Sequence, residues 1–414
     1  MCRMTAFKSL ARLNLLTICI IAFVARALWA ICVTVDPVAD SYLYNVFAHN
    51  IASGKGYVFP AGNLTVYWPV GTSAIYAALY FLFGTSFLPI VLFNLVIGTA
   101  IVWLTHAITA RYLNPCTANI AALLVASWPI LIEFTTVLAS ELIFIFLMLT
   151  AIYVWGSRQM SPVVRAILWG ICLCAATYVR PTAFPLLFVF PLLSWLSGEK
   201  LRNAIVHGVI AIVTAAILFA PWVYRNHVVF NQFVLVSANG GVNLWMGNNP
   251  RSNGGYMDLP EIAFENEVAR DQYFKQQAID FIVHNPVSYA KLIIKRAITT
   301  YKSETIGVVW NGDLYKRLNN TGLLLLKLVS TVYWWLMLGC ALLGIYYLYK
   351  RKPLRWHHVL FAISGFFFAL PLLTVAQDRY HLPLNPFIAI FAAYAIQQIL
   401  QRNSSTNTLH TSPL

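Results

Sequence analysis

The sequence predicts an all-α polytopic membrane protein: about ten transmembrane helices, interfacial helices in the first external loop and one large external loop. Composition is the first ground. Of the 414 residues 59% are hydrophobic and only 10% charged, against roughly 25% charged in soluble domains. The second is that apolar runs of about 20 residues, the length that crosses a hydrocarbon core, recur along most of the chain. The third is the placement of charge. The formal net charge is +14, but Lys and Arg are scattered over short loops and form no single patch, the pattern of topology signals and not of nucleic-acid binding.

Taken in order, the spans begin near Leu13, Ser86, Thr117, Glu141, Val163, Thr182, Ala204, Thr321, His357 and Leu382, each about 16 to 28 residues long. The apolar stretch Val70 to Phe83 is short for a span and reads as an interfacial helix; if it crosses, the spans number eleven. No cleavable signal peptide is read, because the first apolar run lacks a small-residue cleavage site. The expected organisation is an N-terminal transmembrane region, 1–224, holding the first external loop, 34–70. A large loop, 225–320, C-terminal transmembrane helices, 321–402, and a tail, 403–414, follow.

Alternating the spans gathers basic residues on one side. Arg3, Lys8, Arg12, Arg111, Arg158 and Arg165 fall there, as do Lys200, Arg202, Lys350, Arg351, Lys352, Arg355 and Arg402. The positive-inside bias makes that side cytoplasmic and places both termini there, in a plasma (inner) membrane. Of the 14 acids, Glu199 alone falls on the cytoplasmic side. Acids contribute little to topology, so the asymmetry reads either as a working surface on the far face or as a consequence of the large loop lying there. That loop is rich in Asn and Gly, but its aromatic residues favour order. Glu261 to His284 carries helical spacing ended by Pro286.

Several chemistries lack a visible site. Cysteines are absent from the large loop, so no disulfide framework supports it. The thiols of Cys172 and Cys174, two apart on a helix, point about 200° apart, as packing residues. His49, His227, His284 and His381 have no ligand spacing. Neither a P-loop, a Rossmann glycine fingerprint nor a nucleophile elbow is present. Asn63-Leu64-Thr65 and Asn319-Asn320-Thr321 match the glycosylation sequon, a pattern common by chance.

The residues that could do chemistry lie on the far face. Asp36 and Asp40 follow the first span, and Pro37 sets Asp36 before the helix that Asp40 begins. Asp40 reads as an N-cap of a helix running to about Ser53, with Gly54-Lys55-Gly56 as its exit. Capping alone accounts for an Asp there; the functional reading is a carboxylate that loses hydration at the membrane edge and serves as general base. Glu133 and Glu141 flank the next far-side turn, and Glu141 at a helix start is also favoured by the dipole. Arg180, Arg225 and Arg379 stand at far-side helix ends, where topology disfavours them. A guanidinium binds phosphate bidentately; pairing with Asp378, Glu133 or Glu141 is the alternative. Arg26, inside the first span, calls for a partner.

The order of these features resembles the polyprenyl-phosphate-sugar-dependent membrane glycosyltransferases of the GT-C superfamily. It is most similar to the bacterial protein-mannosyltransferase-like branch that includes the lipid A aminoarabinose transferase. The matching stretches are Asp40-Ser41-x-x-Tyr44, Gly54-x-Gly56-Tyr57, Trp68-Pro69-x-Gly71 and Ser140-Glu141-Leu142. Arg180-Pro181-Thr182, Pro221-Trp222-x-x-Arg225-Asn226, Asn239-Gly240-Gly241-x-Asn243-Leu244-x-x-Gly247-Asn248-Asn249-Pro250 and Arg379-Tyr380-x-Leu382-Pro383-Leu384-x-Pro386 complete them. Many members carry a second acid where this chain has Ser41, and the aminoarabinose branch has a Lys where this chain has Trp68. Donor-phosphate contacts are therefore expected elsewhere.

The resemblance implies a GT-C-like fold and a glycosyltransferase drawing sugar from a polyprenyl-phosphate donor in the bilayer. Transfer to a glycan, lipid or protein acceptor would occur on the periplasmic face, with inversion. Asp40 matches the presumed catalytic carboxylate and Glu141 a second acidic position. Arg180, Arg225 and Arg379 are then expected to bind the donor phosphate, with Tyr44, Asp36, Lys55 and Tyr380 in support. No cofactor is required and no metal site is assigned, although a divalent cation is compatible with the chemistry; no nucleic-acid partner is expected. Two other functions remain open: a flippase or transporter of lipid-linked sugars, and a glycan polymerase or ligase using diphosphate-linked donors.

Overall fold

A computed structural model describes residues 14–351, 355 and 358–409, with side chains through Gln401. Arg3, Lys8, Arg12, Lys352, the side chain of Arg402 and the tail residues 410–414 lie outside the described residues. Among the described residues the chain is helical, with two isolated β-bridges, Val58 with Leu64 and Gly255 with Ala376.

Among the described residues six helices are long and apolar enough to cross a bilayer: Leu15–Cys32, Leu88–Tyr112, Pro162–Val179, Leu201–Phe230, Asn320–Arg351 and Leu382–Gln401. Pro115–Ala126 and Pro129–Thr136 make a seventh only if counted as one span bent by 58°. Pro129 is at the break, where its missing N–H and its ring interrupt the helix. By length and composition, six or seven of the ten predicted spans have a described helix of crossing length, and the remaining three coincide with shorter apolar helices. Glu141–Trp155 and Val359–Leu373, 15 residues each, reach about 22 Å, short of a core of about 30 Å. Pro181–Leu196 and Val70–Phe83 are shorter apolar helices as well.

The spans pack around a core that includes Trp128, Trp334, Phe144 and Phe190, all fully buried. The outer faces of the spans and of the shorter Val70–Phe83 helix carry exposed apolar residues such as Leu16, Phe81, Ile217 and Leu336, the surface that a bilayer would cover. Close crossings rest on glycines. A Cβ on Gly344 would lie 1.9 Å from the Phe391 carbonyl oxygen, and one on Gly71 2.6 Å from the Tyr178 carbonyl. The second crossing seats Val70–Phe83 against the helix that delivers Arg180.

Arg26 is buried and donates to the carbonyl oxygens of Ala22, Ala126 and Val125, so its partners are backbone groups and not an acid. The large loop is folded. It contains the helices Gly240–Gly247, Glu267–His284, Pro286–Tyr301, Ile306–Val309 and Gly312–Arg317. The preceding span runs on to Phe230, so residue 225 falls inside a helix. The helix expected from Glu261 begins at Glu267, where the Asn266 side chain accepts from the N–H groups of Val268 and Ala269. Pro286 opens the next helix as well as closing this one.

Candidate active site

Four charged side chains meet at one end of the bundle, three from the ends of helices and one from the connection between two. Asp40 is the first residue of the Asp40–Ala52 helix, and Arg180 ends Pro162–Val179. Glu141 starts Glu141–Trp155, and Arg379 lies between Val359–Leu373 and the turn at Leu382. Arg379 Nη2 is 2.8 Å from Asp40 Oδ2, and its Nη1 is 3.7 Å from Glu141 Oε1. Arg180 pairs with the same Glu141 oxygen and donates from Nε to Ser140 Oγ at 2.9 Å. Charges thus alternate in a chain, Asp40–Arg379–Glu141–Arg180. Glu141 is fully buried, whereas the Asp40 side chain is 25% exposed.

The N-cap reading of Asp40 does not hold. Ala39 occupies the cap with φ 50° and makes no side-chain cap bond, while the Asp40 carboxylate faces Arg379. An alanine at positive φ is strained, and the strain sits next to the carboxylate. The exit of this helix follows expectation: Ser53 caps it, and Gly54 and Gly56 take φ 78° and 85°, values open to glycine.

Asp40, Arg180 and Arg379 border a cavity of about 1370 Å³, with Glu141 buried behind them. Phe144, Phe367 and Leu370 give it an apolar wall, and Asn239, Asn243 and Tyr256 bring polar groups from the large loop. Tyr44 and Tyr380 line it too. Burial first, and then the nearby Asp40 and Glu141 carboxylates, push the Tyr44 phenol up to about 12. For Arg379, burial works against the charge, but Asp40, Tyr380 and Glu141 outweigh it and raise its pKa, so it stays a cation. Its guanidinium also lies 4.3 Å from the centre of the Trp310 ring, and Nε donates to Gln377 Oε1 at 2.6 Å.

The other predicted residues lie elsewhere. Arg225 donates to the carbonyl oxygens of Thr65 (2.8 Å) and Tyr57 (3.4 Å) and stacks 5.0 Å over Trp222. It is absent from the cavity lining and braces the first external loop. On the other side of that loop, Glu267 accepts from Thr65 Oγ1 and the Val66 N–H. Asp36 pairs with Lys316 Nζ at 2.7 Å, and Lys55 is exposed at the helix exit. Glu133 is buried and accepts from Ser330 Oγ. Asp378 is the exception: it lines the cavity, and its carboxylate accepts from Thr305 N and Oγ1. His381 donates from Nδ1 to Thr300 O at 2.7 Å, and its Nε2 lies 3.1 Å from Glu304 Oε1.

Sequence reasoning missed Lys295, Lys302 and Trp310, which line the cavity. The signal for the first was present: Pro286–Tyr301 buries Leu292 and Arg296 while exposing Ile294 and Ile298, an amphipathic helix that carries its lysine to a membrane interface. Asp40 and Glu141 are both engaged by one guanidinium, and among the described residues no group of three His, Cys, Asp or Glu is placed to hold a metal ion.

Fold and cavity together define a multi-pass helical membrane protein with an ion-paired chamber at one end of the bundle. No protein-family model matches the chain, and no curated protein matches it. Its fold is shared with solved oligosaccharyltransferases of Archaeoglobus fulgidus, which have the GT-C fold. The structure of AglB with an inhibitory peptide and a dolichol-phosphate superposes with TM-score 0.57 at 12% identity, over 97% of this chain and 52% of that one. The enzyme tethered to an acceptor peptide containing the NVT sequon gives 0.56 at 13% identity, over 94% and 50%. The complex with Zn and sulfate gives 0.55 at 13% identity, over 93% and 49%. The chain therefore spans about half the length of these proteins, and at such identities the likeness is one of fold.

Proposed function

We infer that the chain is a membrane glycosyltransferase that moves a sugar from a polyprenyl-phosphate donor to an envelope glycan, lipid or protein acceptor on the extracytoplasmic face. The observation that carries this reading is the Asp40–Arg379–Glu141–Arg180 chain, three of whose members border a cavity that is apolar on one side and polar on the other. The apolar wall suits a lipid carrier, and the asparagines and Tyr256 suit sugar hydroxyls.

In the free protein the Asp40 carboxylate is occupied by Arg379. A donor phosphate offers both arginines a bidentate partner. As Arg379 turns to the phosphate, Asp40 is released to take the proton of an acceptor hydroxyl. The acceptor oxygen bonds to the anomeric carbon from the opposite side as the bond to the phosphate oxygen breaks. Lipid phosphate leaves with the electron pair, held by Arg180 and Arg379, and the anomeric configuration inverts. Glu141 stays behind, fixing both guanidinium groups.

The fold shared with a dolichol-phosphate-bound structure supports a lipid-linked donor. A diphosphate donor is the second reading, favoured by Lys295 and Lys302 on the same cavity. A flippase fits less well, because the four ionised groups collect at one end and not at the membrane midplane. Vesicles carrying radiolabelled lipid-sugar test the proposal. Label should appear in an acceptor, and Asp40→Asn and Asp40→Ala should abolish this while the protein remains folded. Near-normal transfer by either variant, or label crossing the membrane still on its lipid, refutes it.

A further inference from the structure

A second cavity, of about 750 Å³, lies at the opposite ends of the helices that carry the acid–arginine chain. Glu141–Trp155 begins at Glu141 and reaches this cavity with Tyr153 and Trp155; Pro162–Val179 delivers Arg180 at one end and Arg165 at the other. At 1.5 Å per residue the two sites stand roughly 20 Å apart along the axis. This is the end that the basic-residue bias marks as cytoplasmic.

Arg111, Arg158 and Arg165 line the cavity, and among the described residues none of the three forms an ion pair. Arg111 donates to Tyr153 O at 2.6 Å and stacks over that ring, and Arg165 donates to Ser157 O at 3.2 Å. The single carboxylate of the lining, Glu199, lies 2.8 Å from His207 Nδ1. Topology signals need only reach water, whereas this group is built around a recess. Gly156 makes room for it: a Cβ there would lie 2.4 Å from Tyr112 Oη and 2.8 Å from Arg111 Nη1. In its wall Trp169, 3% exposed, has an indole N–H with no acceptor. A buried donor is normally satisfied, and three unneutralised guanidinium groups beside it call for an anion with several acceptor oxygens.

We propose that this cavity binds a phosphate ester, the headgroup of an anionic membrane lipid, through Arg111, Arg165 and the Trp169 N–H, with Arg158 at the mouth. The bilayer is the favoured source because the helices Leu186–Leu196 and Leu201–Phe230, which wall the cavity through Pro191 and Gly208, expose Leu192 and Val209 outward. Trp155 and Trp195 lie at the same end, as expected at a membrane interface. This binding is independent of the sugar-transfer reading.

The test uses the full chain, purified and examined by native mass spectrometry with phosphatidylglycerol, phosphatidylcholine or glycerol 1-phosphate. Wild type should retain phosphatidylglycerol about tenfold over phosphatidylcholine, the scale of one charge-assisted contact. The double variant Arg111→Gln, Arg165→Gln should lose that preference. Trp169→Phe, which keeps the ring and removes the donor, should weaken retention with the protein's thermal melt unchanged. Arg379→Gln, at the other cavity, should leave the preference intact. Glycerol 1-phosphate binding without lipid retention would support the phosphate-ester chemistry and assign it to a soluble source. Equal retention of both lipids, or a preference untouched by the variants, overturns the proposal.

Discussion

Arg379 is the residue on which the proposed chemistry turns, and Arg379→Lys separates its charge from its shape. The guanidinium reaches Asp40 at 2.8 Å, Glu141 at 3.7 Å and Gln377 at 2.6 Å while stacked on Trp310. A lysine keeps the charge but is a point donor on a flexible stem, so it can hold one carboxylate and loses the fork and the stacking. One charge-assisted hydrogen bond is worth about 1.5–3 kcal/mol, and about 1.4 kcal/mol is tenfold in rate. Arg379→Lys should therefore slow transfer about 10- to 100-fold. Arg379→Ala, which also removes the cation facing the leaving phosphate, should slow it about 10²- to 10³-fold. Breaking a buried pair costs about 3–5 kcal/mol; because the Asp40 side chain is 25% exposed and Glu141 keeps Arg180, a loss nearer 1–3 kcal/mol is expected. The assay is the initial rate of sugar transfer from radiolabelled lipid-phosphate sugar in reconstituted vesicles, with a thermal melt of each variant alongside. A lysine variant as fast as wild type would refute the requirement for a fork. An alanine variant that is only less stable, at unchanged rate per folded molecule, would refute the phosphate role altogether.

Three further outcomes follow from the structure. Arg225→Ala removes two bonds to loop carbonyls and should cost about 1–3 kcal/mol of stability while slowing transfer less than Arg180→Ala does; rates and melts measured together decide this. Gly71→Val forces a branched side chain against the Tyr178 backbone, which should cost about 1–3 kcal/mol and, by shifting Arg180, lower the rate beyond what the melt accounts for. Burial raises the Glu267 carboxyl above its usual range, opposed by its bonds to Val66 and Thr65. The folded state therefore holds this proton more tightly than the unfolded one. Its contribution favours folding most below the ordinary Glu pKa and declines as pH rises from there to the raised value. Melts across that window should show the decline in wild type and a flatter profile in Glu267→Gln.

The helical membrane class was legible from composition and run length, since hydrocarbon tolerates few alternatives to the helix. The ten spans read from the sequence outnumber the described helices of full crossing length, because run length is measured along sequence and that criterion depends on straight helical length. Pro129 breaks one run, and Glu141–Trp155 stops at Gly156 after 15 residues. Asp40, Glu141, Arg180 and Arg379 could be singled out as charges at the ends of apolar helices, and the structure brings those four together. Arg225 shares the same signal, but its helix continues to Phe230 and turns the guanidinium onto the Thr65 and Tyr57 carbonyls. Sequence spacing carries no information about that rotation. Lys302 escaped notice because its role depends on how a folded loop seats against Val359–Leu373, a packing fixed partly by Arg296, which donates to Leu372 O and Gly247 O.

The alternation of sign along Asp40–Arg379–Glu141–Arg180 bears on why such a site can exist beside hydrocarbon. Two acids and two arginines cancel, and Glu141, with no exposure of its own, is held by both guanidinium groups. An unpaired carboxylate in that position would be expensive to bury. The same balance makes the chamber responsive to an anion, since a phosphate that draws Arg379 toward itself leaves Asp40 without its cation. Asp40 is the member best placed to be uncovered, because it has one arginine where Glu141 has two and is the more exposed acid of the pair. Donor binding would in this way generate the base that the acceptor requires. A chamber holding no donor would keep that base neutralised and would not activate water or a stray hydroxyl.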